Sequence, residues 1–90
     1  MRRRVVVRGR VQGVGFRASC AARAREAGVA GWAANRSDGS VEAVLVGPAA
    51  AVDAVIAWCR QGPRFARVTG VEVSDPPPGT DPLPIGFAVR

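Results

Sequence analysis

The sequence predicts an α+β sandwich: one antiparallel sheet with two helices on one face, in the order βαββαβ, finished by a short C-terminal edge strand. Three observations carry this. Ninety residues supply one hydrophobic core and are too few for two, so residues 1–90 are expected to form a single domain. Two segments repeat apolar residues at helical spacing, and each lies between valine-rich runs that alternate with a period of two. Asp38 and Gly39 stand between two of those runs, and Asp-Gly is among the strongest short-range signals for a hairpin.

Taken in order, residues 3–8 read as the first strand, with Val5 and Val7 toward the core and Arg4, Val6 and Arg8 outward. A glycine-studded turn follows. Over residues 16–27, Phe16, Cys20, Ala24 and Ala27 fall on one helical stripe while Ser19, Arg23 and Glu26 group elsewhere, and Gly28 stands where a helix stops. Residues 29–36 are the second strand and 40–46 the third, in which Val41, Ala43 and Leu45 alternate with Glu42 and Val44. A type I′ turn at Asp38 and Gly39 makes these two strands antiparallel neighbours. Gly47 and Pro48 open a second helix, where Val52, Val55, Ile56 and Cys59 recur at helical spacing, and Gly62 and Pro63 close it. Residues 67–74 give a fourth strand with Val71 and Val73 on one face. Residues 75–84 hold too many prolines for a central strand and read as an extended surface loop; residues 85–90 add the edge strand, with Phe87 turned inward.

This succession is the ferredoxin-like pattern. A right-handed crossover makes the first and second strands parallel, and the hairpin inserts the third between them, antiparallel to both. The C-terminal ends of strands one and two then share one edge of the sheet, about 10 Å apart. The glycine turn and Asn35 meet there.

Composition narrows the chemistry. The formal charge of +6 comes from arginine, since the chain has no lysine, and such a balance favours anionic partners without choosing among them. The absence of His, Lys and Tyr removes the usual proton carriers other than carboxylates, so an enzyme built from this chain relies on positioning and electrostatics. Cys20 and Cys59 form no CxxC pair and no histidine accompanies them, so no metal site is expected, and both read as small core residues. No run is apolar and long enough for a membrane span or a signal peptide; a cytoplasmic protein without membrane contact is expected.

In the turn, Gly9, Gly13 and Gly15 let backbone come close to a ligand, and the unpaired amides of the following helix favour negative charge. Arg17 at its mouth adds a guanidinium fork for phosphate or carboxylate. Several phosphate chemistries fit glycines alone. Gly13, Gly15 and Ala18 satisfy the dinucleotide fingerprint formally, yet Asp38, which would bind the ribose, belongs to a hairpin tip. The Gly-Lys-Ser/Thr of a P-loop is missing. Stacking of RNA bases requires aromatics on the central strands, and residues 3–8 and 40–46 carry none, which makes nucleic acid an unfavoured partner.

Residues 7–17 (VRGRVQGVGFR) resemble the first signature of the acylphosphatases, and residues 31–42 (GWAANRSDGSVE) resemble the second. Both have fixed internal spacing and stand in the family's order, and weaker similarity continues through Gly62, Pro63, Ala66, Val68 and residues 71–73. Ala33 and Ala34 are smaller than the residues many relatives carry there, and Ala18, Ser19 and Cys20 replace aromatics common after the arginine. The resemblance implies hydrolysis of a small acyl phosphate to a carboxylate and inorganic phosphate, with no metal and no covalent intermediate; no cofactor and a monomeric chain are expected. It implies that Arg17 and the backbone amides of Gln12, Gly13, Val14, Gly15 and Phe16 bind the phosphate and that Asn35 orients the attacking water. A mixed anhydride is already activated, so a substrate phosphate oxygen can accept the water's proton while the protein supplies orientation and charge. Trp32 reads as a packing residue, Asp38 as turn chemistry, Glu42 as a solvated strand residue and Phe16 as a core anchor. The alternative is a non-catalytic anion- or nucleic-acid-binding module of the same fold, as in acylphosphatase-like domains of larger carbamoyl-transfer maturation proteins.

Overall fold

The structure is a computed structural model that describes residues 1–77 and 86–90, so most of the expected 75–84 loop and the Ile85 start of the edge strand lie outside the described residues. The elements are β1 (Arg2–Arg10), α1 (Phe16–Ala27), β2 (Ala30–Asn35), β3 (Val41–Val46), α2 (Ala49–Gln61), β4 (Arg67–Ser74) and β5 (Phe87–Val89). The strands form one sheet in the order β4-β1-β3-β2-β5. β3 lies antiparallel between β1 and β2, and β4 pairs antiparallel with the other side of β1. β5 joins β2 in parallel, which makes the sheet mixed at that edge and antiparallel elsewhere. Topology explains the exception. β4 runs against β1 and so finishes at the end of the sheet where β2 begins; a strand laid beside β2 from that end runs the way β2 does.

Both helices cover the same face, α1 over β2, β3 and β5, and α2 over β1 and β4. α1 stops where expected: Gly28 adopts φ 74°, its amide reaches back to the Arg25 carbonyl, and the Val29 amide bonds the Ala24 carbonyl at 2.8 Å. The core sets Val5, Val7, Ala43 and Leu45 of the sheet against Cys20 and Ala24 of α1 and Val52 and Cys59 of α2. Cys20 and Cys59 are fully buried free thiols that pack as small core groups, and a hydrogen bond between them together with burial pushes the Cys59 thiol up. Among the described residues, no helix is long and apolar enough to cross a membrane.

Two residues expected to face outward are buried. Val6 and Val44 point away from the helices yet are each 1 % exposed. Val6 has Glu42 and Glu72 as cross-strand partners, and Val44 has Arg4 and Trp32. Arg4 Nε bonds Glu42 at 2.5 Å and Arg8 Nε bonds Glu72 at 3.0 Å, so ion-paired side chains lie along this face and their aliphatic stems shelter the valines. Alternation gave the direction correctly; it carries no account of long side chains folding back over a sheet. Val73 departs in the other sense, since it shares a face with Val71 but is 40 % exposed near the end of the edge strand β4.

The β2–β3 hairpin forms, though not by a type I′ turn, because within the hairpin loop Gly39, at 91°, has positive φ and Asp38 does not. The Gly39 amide donates to the Arg36 carbonyl at 3.2 Å and the Arg36 amide to the Ser40 carbonyl at 2.9 Å, which is a longer loop with one left-handed glycine at its end. Asp38 steadies it from inside: its Oδ1 accepts the Ser40 amide at 2.9 Å and the Ser40 hydroxyl at 2.5 Å. At the other side of the sheet, the β1–β4 ladder carries a bulge: Arg8 pairs with Gly70 and Gly9 with Val68, so Thr69 of β4 is the extra residue. Gly9 has φ 121°, and a Cβ there would lie 2.1 Å from the Arg67 carbonyl oxygen.

Gly9→Ala is expected to lower stability by about 1–3 kcal/mol, the range for a forced backbone conformation, read as a lowered urea midpoint with unchanged slope. Asp38 offers a second check. Its carboxyl is pulled from 3.8 to about 2, chiefly by the Ser40 hydroxyl and amide. A lowered folded-state value means that its contribution to stability is complete above the unfolded value near 4 and is lost as pH falls through about 2. Carboxyl ¹³C shifts are expected to show this titration, and Ser40→Ala to move it back toward the ordinary range.

Candidate active site

The loop between β1 and α1 is held by its two ends. Val11 is 1 % exposed and Phe16 is 2 % exposed, and the Phe16 ring packs tilted on Trp58 with centroids 5.2 Å apart. Between these anchors Gly13 and Gly15 stay exposed with φ of 74° and 77°. A Cβ at either would meet nothing within 4 Å, so the requirement for glycine is conformational and not steric crowding. Gly15 caps α1 without a side-chain hydrogen bond, and the first helical bond runs from the Ser19 amide to the Gly15 carbonyl at 3.0 Å. The amides of Phe16, Arg17 and Ala18 therefore have no partner within the helix, and the helix dipole adds to their positive character.

Gln12 ties this loop across to the hairpin. Its Nε2 donates to the Arg36 carbonyl at 2.7 Å and to the Ser40 carbonyl at 3.0 Å. One side chain thus fixes the spacing between the turn after β1 and the turn after β2. Asn35, the last residue of β2, is exposed at the same edge, and its carboxamide makes no hydrogen bond among the described residues.

These elements enclose a cavity of about 160 Å³ lined by Gly13, Gly15, Phe16, Arg17 and Asn35, with Val11, Ala18 and Val89 completing the wall. The volume is below the roughly 300–1,000 Å³ of drug-sized ligand pockets, so it admits a phosphate-sized group and leaves a larger substituent outside. Of the residues expected at the site, Gln12 and Val14 do not line the cavity: Gln12 is turned to the hairpin and Val14 packs against the core. Arg17 does, and its Nη1 donates to the Arg90 backbone carbonyl. Val89 and Arg90 belong to this site through β5, and no local pattern in residues 85–90 announces that; the signal lies in sheet order alone. A hollow of about 200 Å³ between the helices, lined by Arg23, Trp58 and Glu26 among others, shares no lining residue with this cavity, and its carboxylate disfavours an anion.

The donor set is one-sided. Guanidinium and amide N–H groups point to an oxyanion, and the Asn35 carboxamide supplies the neutral acceptor. Asp38, at the hairpin, is held as a carboxylate by Ser40 and paired with Arg8 at 3.3 Å and Arg36 at 3.9 Å, so at neutral pH it is an anchored anion and no proton donor. Arg8 is raised in turn, mostly through its bond to Glu72.

Known proteins are similar to this chain over most of its length. Residues 3–85 match the family model described as acylphosphatase. A protein of Rubrobacter xylanophilus named acylphosphatase is 57 % identical over 87 residues, covering 97 % of this chain and 77 % of its own. One of Ralstonia nicotianae named acylphosphatase 2 is 51 % identical over 86 residues, covering 96 % and 88 %. Among solved structures, the acylphosphatase from Bacillus subtilis superposes with a TM-score of 0.88 at 34 % identity, over 99 % of this chain and 97 % of that one. With the family model covering nearly the whole sequence, and both close relatives and a full-length superposition agreeing with it, this chain belongs to the acylphosphatase family.

Proposed function

We propose that the chain hydrolyses small acyl phosphates to a carboxylate and inorganic phosphate, using Arg17 and the loop amides to hold the phosphoryl group and Asn35 to aim the water. The observation that supports this most directly is the single small cavity shared by Gly13, Gly15, Arg17 and Asn35. Seated there, the phosphoryl group has its oxygens toward N–H donors while the acyl part projects into solvent. Water held by the Asn35 carboxamide attacks phosphorus opposite the acyl oxygen, which leaves with the bonding electrons as a carboxylate. A carboxylate has an ordinary pKa near 4, so its departure calls for no general acid. The water's proton passes to a phosphoryl oxygen. What remains for the protein is positioning and stabilisation of charge, which agrees with a chain that has no His, Lys or Tyr. No cofactor enters this scheme, and the chain acts as a monomer. Two unlinked buried thiols fit a reducing compartment such as the cytoplasm.

Acetyl phosphate hydrolysis by the wild type, with and without a chelator, tests the reading. Turnover is expected in both. Arg17→Ala is expected to lose phosphate binding and turnover together, whereas Asn35→Ala keeps phosphate binding and loses about 10²–10³-fold in kcat, the usual cost of one oriented polar group in the transition state. No wild-type turnover, or full activity in Asn35→Ala, would sink the proposal. Sedimentation is expected to give the mass of one chain.

A further inference from the structure

The guanidinium assigned to phosphate does not stand free in the cavity. Arg17 Nη1 donates to the backbone carbonyl of Arg90, just past the three-residue strand β5. Arginine has five N–H donors in a fixed fork, so one bond to a carbonyl sets the plane and direction of the others. Whatever fixes the Arg90 carbonyl therefore helps to aim Arg17.

That carbonyl belongs to an exposed residue at the margin of the sheet, where backbone pairing is thin. β5 pairs with β2 through Gly31, Trp32 and Ala33, and the Arg90 amide adds a bond to the Ala33 carbonyl at 2.8 Å. Arg25 of α1 holds the strand farther back, its Nη2 donating to the Phe87 carbonyl at 2.9 Å. Beyond these, a side-chain contact restrains Arg90 itself. Its guanidinium lies over the Trp32 ring, 4.6 Å from the centroid. Trp32 neighbours the buried Ala33 in β2 and so faces the side of the sheet away from the helices, where the cavity is not. A residue that reads from sequence as packing thus grips, from behind, the residue whose carbonyl engages Arg17.

We propose that Trp32 is a positioning residue for phosphate recognition: by stacking under the Arg90 side chain it fixes the Arg90 carbonyl, which orients Arg17 into the cavity. This rests on the role given to Arg17 above. The stack reaches the ligand only through Arg90 and Arg17, so its loss weakens phosphate binding without removing any group that acts on the water. A cation–π contact at a partly exposed site is modest, and the expected effect is a rise of about two- to fivefold in KM and in the inhibition constant for inorganic phosphate, with kcat kept.

The experiment compares Trp32→Leu, Trp32→Phe, Arg90→Ala and the double variant Trp32→Leu/Arg90→Ala, each assayed for acetyl phosphate hydrolysis, inorganic phosphate inhibition and the Arg17 Nε–H resonance. Trp32→Leu and Arg90→Ala are expected to raise KM and the phosphate constant in parallel, to shift or broaden that resonance without ligand, and to be no worse combined than singly. Trp32→Phe, which keeps a ring face, restores all three. Arg90→Ala alters an exposed side chain and tests the same contact even if Trp32→Leu folds poorly. A Trp32→Leu that lowers only the melting temperature, with KM and the Arg17 resonance unmoved, overturns the proposal, as do additive effects in the double variant or a loss confined to kcat. Should the wild type not hydrolyse acetyl phosphate, the proposed activity fails, while the resonance and phosphate binding still decide the role of Trp32.

Discussion

The structure depends on keeping backbone N–H groups at the start of α1 unpaired and accessible. In most folds such amides are capped by a side chain or left to water. Here Gly15 stands at the cap with no side chain to offer, and the loop before it is stretched between two buried anchors, Val11 and Phe16. The anchors belong to the core, so core packing holds the cradle open. Phe16 has a double duty: its ring sits on Trp58 and the residue also lines the cavity.

The rest of the molecule serves that opening. The crossover through α1 places β2 parallel to β1, and inserting β3 between them brings Asn35 and the loop to one edge. Gln12 then locks the two turns together with a pair of hydrogen bonds. β5 closes the far wall, held on one side by β2 and on the other by arginines of α1. A cavity this small offers little surface to a group larger than a phosphate.

The elements and the main candidate residues were legible in the sequence because each rests on local physics. The spacing of Phe16, Cys20 and Ala24 marks a helix, and Gly28 ends it, since a left-handed residue is what a helix stop needs. Asp38 and Gly39 mark a turn, and a turn is there. Its type was misread, because Asp38 found a better use for its carboxylate in binding Ser40 than in adopting a left-handed backbone. Val6 and Val44 were read as outward and are outward; their burial arises from arginine and glutamate side chains contributed by neighbouring strands.

By itself the sequence determined the strand and helix order, the glycine loop, the guanidinium beside it and the asparagine at the end of the second strand, all of which follow from spacing and residue type. Tertiary structure alone decided that β5 runs parallel beside β2, that its end meets Arg17, and that Trp32 reaches this partnership from the opposite face of the sheet. These contacts join residues more than 50 positions apart through one edge of a sheet. Periodicity describes a residue's own element; which backbone lies next to that element is settled only when the sheet is assembled.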